Sequence, residues 1–314
     1  MPDQQSPEQR TLGPRRLFRP RLGRPKRPGK RILQSTSVLP GLFTIANGLA
    51  GFASIHFATK DALGEATLAN LSAAAWLIFV AMGFDMLDGR VARMTRRTSD
   101  FGGQLDSLCD VISFGAAPAM LMVRVEVMAL RGQIEGLAFV PHGLGVERVV
   151  WCVAAAYLAC GALRLARFNV ENVPDESGHF YFRGLPIPGA AATVAAMVLL
   201  LDRLAGIQQG WRSSPWLLAA VGTTLPVVTL LVAILMVSRF TYTHVVNHYI
   251  RGTRPFNYLV KLVIIALAAM VEPYLTLAGV TLAYAFSGPV GAIARRLAAR
   301  KAPLQQPPPP QAGQ

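Results

Sequence analysis

Residues 85–110 read DMLDGRVARMTRRTSDFGGQLDSLCD. Within this stretch Asp85 and Asp88 are three apart and Asp106 and Asp110 four apart, so each pair shares one face of a helix. The flanks are apolar: LSAAAWLIFVAMGF precedes the stretch and VISFGAAPAMLMV follows it. An ionisable group at membrane depth is costly and reads as functional, the more so when several converge. MTRRTSDFGG, between the two pairs, is polar and carries glycines, which predicts a turn between antiparallel helices. Folding there brings the acidic faces together. Four carboxylates in one low-dielectric crevice do not all stay ionised without cations, and hard divalent ions with oxygen ligands are the natural match.

The basic residues extend this reading. Gly89 directly follows Asp88 and leaves the helix surface bare for a close approach. Arg93 stands one turn further on, with Arg90, Arg96 and Arg97 nearby. Carboxylates with metal, a glycine gap and an arginine fork suit a pyrophosphate bound through magnesium.

The chain of 314 residues is 52% hydrophobic and 15% charged, with a mean hydropathy of +0.38, which excludes an ordinary soluble domain. An all-α, polytopic membrane bundle of about eight spans is predicted, near 38–59, 67–93, 103–124, 146–167, 186–206, 215–237, 257–273 and 275–295. The net charge of +14 is unevenly spread. With the amino terminus inside, the cytoplasmic side receives the arm, Arg90 to Arg97, Arg164, Arg167, Arg183, Arg239, Arg251, Arg254, Lys261, Arg295, Arg296, Arg300 and Lys301. The other side receives Lys60, Arg124, Arg131, Arg148, Arg203 and Arg212. This asymmetry predicts cytoplasmic termini and a cytoplasmic acidic site in a bacterial-type inner membrane.

Residues 1–34 form a basic, proline-rich arm, expected to be disordered and to rest on anionic lipid rather than on nucleic acid, since it runs straight into a span. It does not read as a signal peptide. The membrane domain is expected over 35–298, and 299–314 reads as a disordered proline-rich tail. Cys109, Cys152 and Cys160 sit in apolar stretches without metal-ligand spacing. His244 and His248 are four apart but lack an acidic third ligand nearby.

The pattern Asp85-x2-Asp88-Gly89-x2-Ala92-Arg93-x8-Gly102-x3-Asp106-x3-Asp110 resembles the signature of the CDP-alcohol phosphatidyltransferase family. The resemblance implies attack by an alcohol on the β-phosphate of CDP-diacylglycerol, with release of CMP and two divalent cations, Mg2+ or Mn2+, as cofactors. Asp85, Asp88 and Asp106 are the expected metal ligands. Asp110 completes the site and is the candidate general base. Gly89, Arg93 and Ser99 match the positions that hold the cytidine diphosphate. Members of the family are often dimeric, and a homodimer is carried over as an expectation.

Three further stretches resemble the phosphatidylserine synthase branch, which makes L-serine the expected acceptor: RLARFN at 164–169, FRGLPIP at 182–188 and MVSRFTY at 236–242. The first span begins LPGLFTIANGLAGF, with Gly41 where that branch usually has asparagine. Thr44 and Asn47 in this span have two roles open to them, facing the nucleotide or hydrogen-bonding neighbouring helices. Arg164, Arg167 and Arg183, with Asn169, either bind the lipid phosphate or the acceptor carboxylate, or anchor the helix ends at the interface. Glycerol 3-phosphate, an inositol phosphate and choline are alternative acceptors within the same chemistry. A divalent-cation or proton-coupled transporter is the alternative from another class. Against it, the acids cluster near one membrane face and do not continue across.

Overall fold

The computed structural model describes residues 38–60, 68–95, 100–131, 144–171, 182–207, 215–242 and 256–301. The basic arm, Arg96, Arg97, Ser99, His244, His248 and the tail beyond residue 301 lie outside these, as do the side chains of Arg93 and Arg183. Nine α-helices are described: α1 Val38–Thr59, α2 Leu68–Thr95, α3 Asp100–Asp110, α4 Ala117–Leu130, α5 Leu144–Glu171, α6 Ile187–Ile207, α7 Pro215–Val237, α8 Phe256–Val271 and α9 Pro273–Lys301. A π-helical stretch, Val111–Ala116, joins α3 to α4, so these two make one interrupted rod.

Among the described residues, seven helical segments are long and apolar enough to cross a membrane, the rod counting as one. Eight crossings were expected. The eighth apolar helix, α8, has 16 residues, short of the roughly 20 that a bilayer requires. The expected turn MTRRTSDFGG is also shorter than predicted. Met94 and Thr95 still belong to α2, and Asp100 to Gly103 already belong to α3, which leaves residues 96–99 between the helices. Glycine here marks a bare helix surface rather than a loop.

The centre of the bundle is α6 and the α3–α4 rod, buried over 67% and 61% of their spans against 17% for the α9 span. Around them α1 packs along α2 and against the rod, α5 packs on α7 and α4, and α6 meets α2, α7 and α9. Contacts between successive layers are made by small residues: Ala50, Ser54 and Ala58 on α1, Ala74, Ala75 and Ala81 on α2, and Ala190 to Ala192, Ala195 and Ala196 on α6 are all buried. Without a hydrophobic driving force between helices in lipid, such residues let backbones approach and gain van der Waals contact. Ser54 Oγ donates to Ala74 O at 2.8 Å across the α1–α2 contact. The outer surfaces are apolar too, and residues 259–271 of α8 are all exposed, as a lipid-facing helix is.

The approach of α1 to the rod is close. A Cβ at Gly51 would stand 2.5 Å from the Cα of Ser113, and one at Gly48 would stand 2.8 Å from Cys109 Sγ. Ser113 Oγ donates to Asn47 O at 2.8 Å, closing the same contact. The π-helical stretch sits at this level: Ala117 N–H bonds to Ile112 O, five residues back, and Phe114 O accepts from the buried Tyr157 hydroxyl at 3.0 Å. A π-turn commonly marks a functional position in a helix, and this one begins directly after Asp110.

The bundle has two polar ends. At one, Ser72 Oγ donates to Asp202 Oδ2, and Arg203 lies 3.6 Å from Glu272 in an exposed pair that contributes little stability. At the other end stand the carboxyl end of α2, the amino end of α3, the carboxyl ends of α5 and α7, and the amino end of α6. Here the all-helical pattern is broken by a two-residue antiparallel ladder, with Phe182 opposite Tyr242 and Arg183 opposite Thr241. Gly184 follows the ladder at φ +90°, donates to Phe240 O at 2.8 Å, and faces Met236 O so closely that no Cβ fits. Only glycine combines that backbone conformation with that clearance.

Replacing Gly51 by alanine is expected to lower the stability of the detergent-solubilised protein by about 1–3 kcal/mol, since the added methyl meets backbone. Gly279→Ala, on an exposed stretch of α9 where a Cβ meets nothing within 4 Å, is expected to be neutral or stabilising. Thermal unfolding of the two variants side by side measures the difference.

Candidate active site

Asp85 and Asp88 project from the last turns of α2, and Asp106 from α3. One carboxylate oxygen from each lies within 4.8 Å of the other two. The spacings of three and four along two helices, joined by the short connection at 96–99, bring the acids to one point as the sequence predicts. Asp110 stands one turn beyond Asp106, at the start of the π-helical stretch, and is within electrostatic reach of Asp85, Asp106 and Asp88. Asp88 and Asp110 are buried.

Two side chains of α1 hold two of these aspartates. Thr44 Oγ1 donates to Asp88 Oδ2 at 3.0 Å, and Asn47 Nδ2 donates to Asp110 Oδ1 at 3.0 Å. Of the two roles open to these residues, hydrogen bonding to a neighbouring helix is the one seen here, and the neighbours are the acids themselves. A hydrogen bond to a charged acceptor is worth about 1.5–3 kcal/mol, enough to fix the rotamer of each carboxylate. Thr44 and Asn47 are three apart on the helix, and Gly48 and Gly51 sit beside them, so the close packing of α1 and the placement of its donors are one arrangement.

The donor set fits hard divalent cations. Carboxylate oxygen is the preferred ligand of magnesium and manganese, and three such oxygens already converge. Asp106 Oδ1 is buried with no hydrogen-bond partner, a costly arrangement for a carboxylate that a bound cation relieves. Gly89 lies beside Asp88, and a Cβ there would meet nothing within 4 Å. That open space on the helix surface next to the acids leaves room for a phosphate group. The backbone of Arg93 continues α2 one turn further.

Of the expected acceptor or phosphate ligands, Arg164 on α5 interacts electrostatically with the acids. It is within electrostatic reach of Asp110 and of Tyr284, and its guanidinium carbon lies 5.9 Å from the centre of the Phe168 ring. Its Nε is buried without a hydrogen-bond partner. Asn169, at the exposed end of α5, donates from Nδ2 to Ser107 Oγ at 2.9 Å and so ties α5 to α3. Arg167 is half-buried, and the backbone of Arg183 belongs to the ladder, opposite Thr241. Sequence reasoning passed over Tyr284, a single tyrosine in an apolar span with no motif around it. It also passed over Ser113, whose role depends on a π-turn that no periodicity announces.

Residues 37–225 match the family model for CDP-alcohol phosphatidyltransferase. A CDP-diacylglycerol--serine O-phosphatidyltransferase of Helicobacter pylori is 36% identical over 163 residues, covering 52% of this chain and 58% of that protein. The protein of the same name from Mycobacterium tuberculosis is 30% identical over 268 residues, covering 84% of this chain and 80% of that one. An archaetidylserine synthase of Methanothermobacter thermautotrophicus is 36% identical over 169 residues, 53% of this chain and 60% of that protein. This chain thus spans somewhat more than half the length of the first and third of these relatives. With the match covering the acidic cluster and the helices that build it, the chain belongs to the CDP-alcohol phosphatidyltransferase family.

Proposed function

We propose that this chain transfers the phosphatidyl group of CDP-diacylglycerol to the hydroxyl of L-serine, producing phosphatidylserine and CMP. The observation that carries the reading is the convergence of Asp85, Asp88 and Asp106 with Asp110 alongside. The names of the relatives support serine as the acceptor, and so do the three branch motifs.

In the proposed reaction the serine hydroxyl oxygen forms a bond to the phosphorus that carries diacylglycerol. The bond from that phosphorus to the bridging oxygen of CMP breaks, and CMP leaves with that oxygen. Asp110 accepts the proton of the attacking hydroxyl, and Asn47 keeps its carboxylate oriented by donating to Oδ1. Asp85, Asp88 and Asp106 would hold two divalent cations, Mg2+ or Mn2+, which when bound neutralise pyrophosphate charge and stabilise the leaving group. The open helix surface at Gly89 admits the pyrophosphate, with Arg93 and Ser99 as its further ligands. Arg164 offers a cation to the acceptor carboxylate or the lipid phosphate. The acyl chains stay between helices in the bilayer, so the lipid is never extracted.

The basic residues at the site end support placing the site and both termini on the cytoplasmic side of a bacterial-type inner membrane. The arm at 1–34 would rest there on anionic lipid, adding about 1 kcal/mol of attraction per basic residue near the surface. A homodimer remains part of the proposal through the family's habit alone.

Purified protein supplied with labelled CDP-diacylglycerol and, in turn, L-serine, glycerol 3-phosphate, an inositol phosphate or choline is expected to release CMP with serine and to form labelled phosphatidylserine. Turnover with another alcohol and none with serine would overturn the acceptor assignment. Asp110→Asn is expected to lower transfer by about 10²–10⁴-fold while CDP-diacylglycerol still protects the variant against thermal unfolding. Near-normal turnover by this variant would remove Asp110 from the role of base. Chelation of divalent ions is expected to abolish CMP release, and added Mg2+ or Mn2+ to restore it. Full activity in excess chelator would defeat the metal assignment.

A further inference from the structure

The sequence marks that point to serine do not lie at the aspartates. FRGLPIP and MVSRFTY form one unit, in which Phe182 and Arg183 pair with Tyr242 and Thr241, and Gly184 and Leu185 donate to Phe240 O and Leu235 O at 2.8 and 3.0 Å. This unit reaches further. The hydroxyl of Tyr242 donates to Ala285 O on α9 at 2.8 Å, and a Cβ at Gly288 would come 2.5 Å from Tyr242 Cζ, so α9 is held against the ring. The Tyr242 ring lies 6.1 Å from that of Tyr284 at a tilt of 56°. Gly189, which follows FRGLPIP directly, clears the other side, since a Cβ there would stand 2.9 Å from Tyr284 Cε1. Two contacts made by the branch motifs and their neighbours thus bear on one side chain.

That side chain is within electrostatic reach of Arg164. Among the described residues no carboxylate lies within ion-pair distance of Arg164, and its Nε is buried without a partner. No hydrogen bond from the Tyr284 hydroxyl to a described residue is present either. A cation and a hydroxyl donor within electrostatic reach of each other, the cation also within reach of the proposed base and neither spent on an ion pair or hydrogen bond with another side chain among the described residues, form a site for a small anion that carries a hydroxyl group. An acceptor with a carboxylate answers that description, because the carboxylate takes both donors while its own hydroxyl is turned to Asp110. A site built to hydrogen-bond a substrate group rejects analogues lacking it far more strongly than an apolar pocket does.

We infer that Tyr284 is an acceptor-selecting residue, its hydroxyl binding the acceptor carboxylate together with Arg164. This rests on the serine reading given above and adds to it. Tyr284 lies outside residues 37–225, so this donor comes from an element beyond the residues that the family model matches, carried on α9 and set in place by the ladder.

The test is steady-state CMP release by the full-length protein in mixed micelles, with L-serine and CDP-diacylglycerol varied separately. Tyr284→Phe keeps the ring on Gly189 and Tyr242 and removes only the hydroxyl. The KM for serine is expected to rise about tenfold or more, as loss of a hydrogen bond to a charged group implies, while the KM for CDP-diacylglycerol stays as it was. Gly189→Ala, which displaces the ring without touching the hydroxyl, is expected to raise the serine KM in the same selective way, and it decides the matter if Tyr284→Phe fails to fold. Serine turnover by the unaltered protein with no change of serine KM in the variant overturns this inference and leaves the serine reading standing. An equal rise in both KM values also overturns it, since that marks a general packing role. Absence of serine turnover by the unaltered protein overturns both.

Discussion

Repulsion among Asp85, Asp88, Asp106 and Asp110 is the constraint around which the bundle is arranged. Like charges brought this close in apolar surroundings drive their helices apart unless something holds them. The hold comes from packing. Gly48 and Gly51 bring α1 into backbone contact with the α3–α4 rod, Ser113 fastens the contact, and Thr44 and Asn47 then reach Asp88 and Asp110 as donors. Small residues repeat this logic between α1 and α2 and around α6, so a tight apolar framework opposes the electrostatic strain at its mouth. Asp106, with a buried oxygen left without a partner, is where that opposition is least complete and where a cation has most to offer.

Much of this was legible in the chain itself. Spacings of three and four between aspartates define helix faces whatever the tertiary structure, so the meeting of α2 and α3 followed from local geometry. Hydropathy located the spans for the same reason. What could not be read was partner choice. Thr44 and Asn47 were visibly polar in an apolar helix, but only the three-dimensional approach of α1 selects the aspartates as their acceptors. Gly102 and Gly103 look like turn residues and are helical, because a bare surface and a chain reversal call for the same amino acid. The short eighth helix lies where apolar composition outlasts helical length.

The segments 182–188 and 236–242 show why linear motifs can be misread. Each looks like a separate recognition element. In the fold they are two halves of one clasp, closed by a ladder of two residues and by a glycine at positive φ. The clasp anchors α9 through Tyr242. Residues more than fifty positions apart are therefore constrained together, and either segment alone carries half of the information.

The π-helical stretch Val111–Ala116 has a consequence for which changes of length the chain tolerates. One residue turns an α-helix by roughly 100°, and the wider π-turn absorbs the equivalent of one additional residue. Deleting a single amino acid here would restore ordinary α-helical winding with α3 and α4 still in phase, and the wide turn that follows Asp110 would be lost. An apolar segment of no obvious distinction, VISFGA, thus carries one residue more than an ordinary helix needs without turning the acids of α3 out of register with α4.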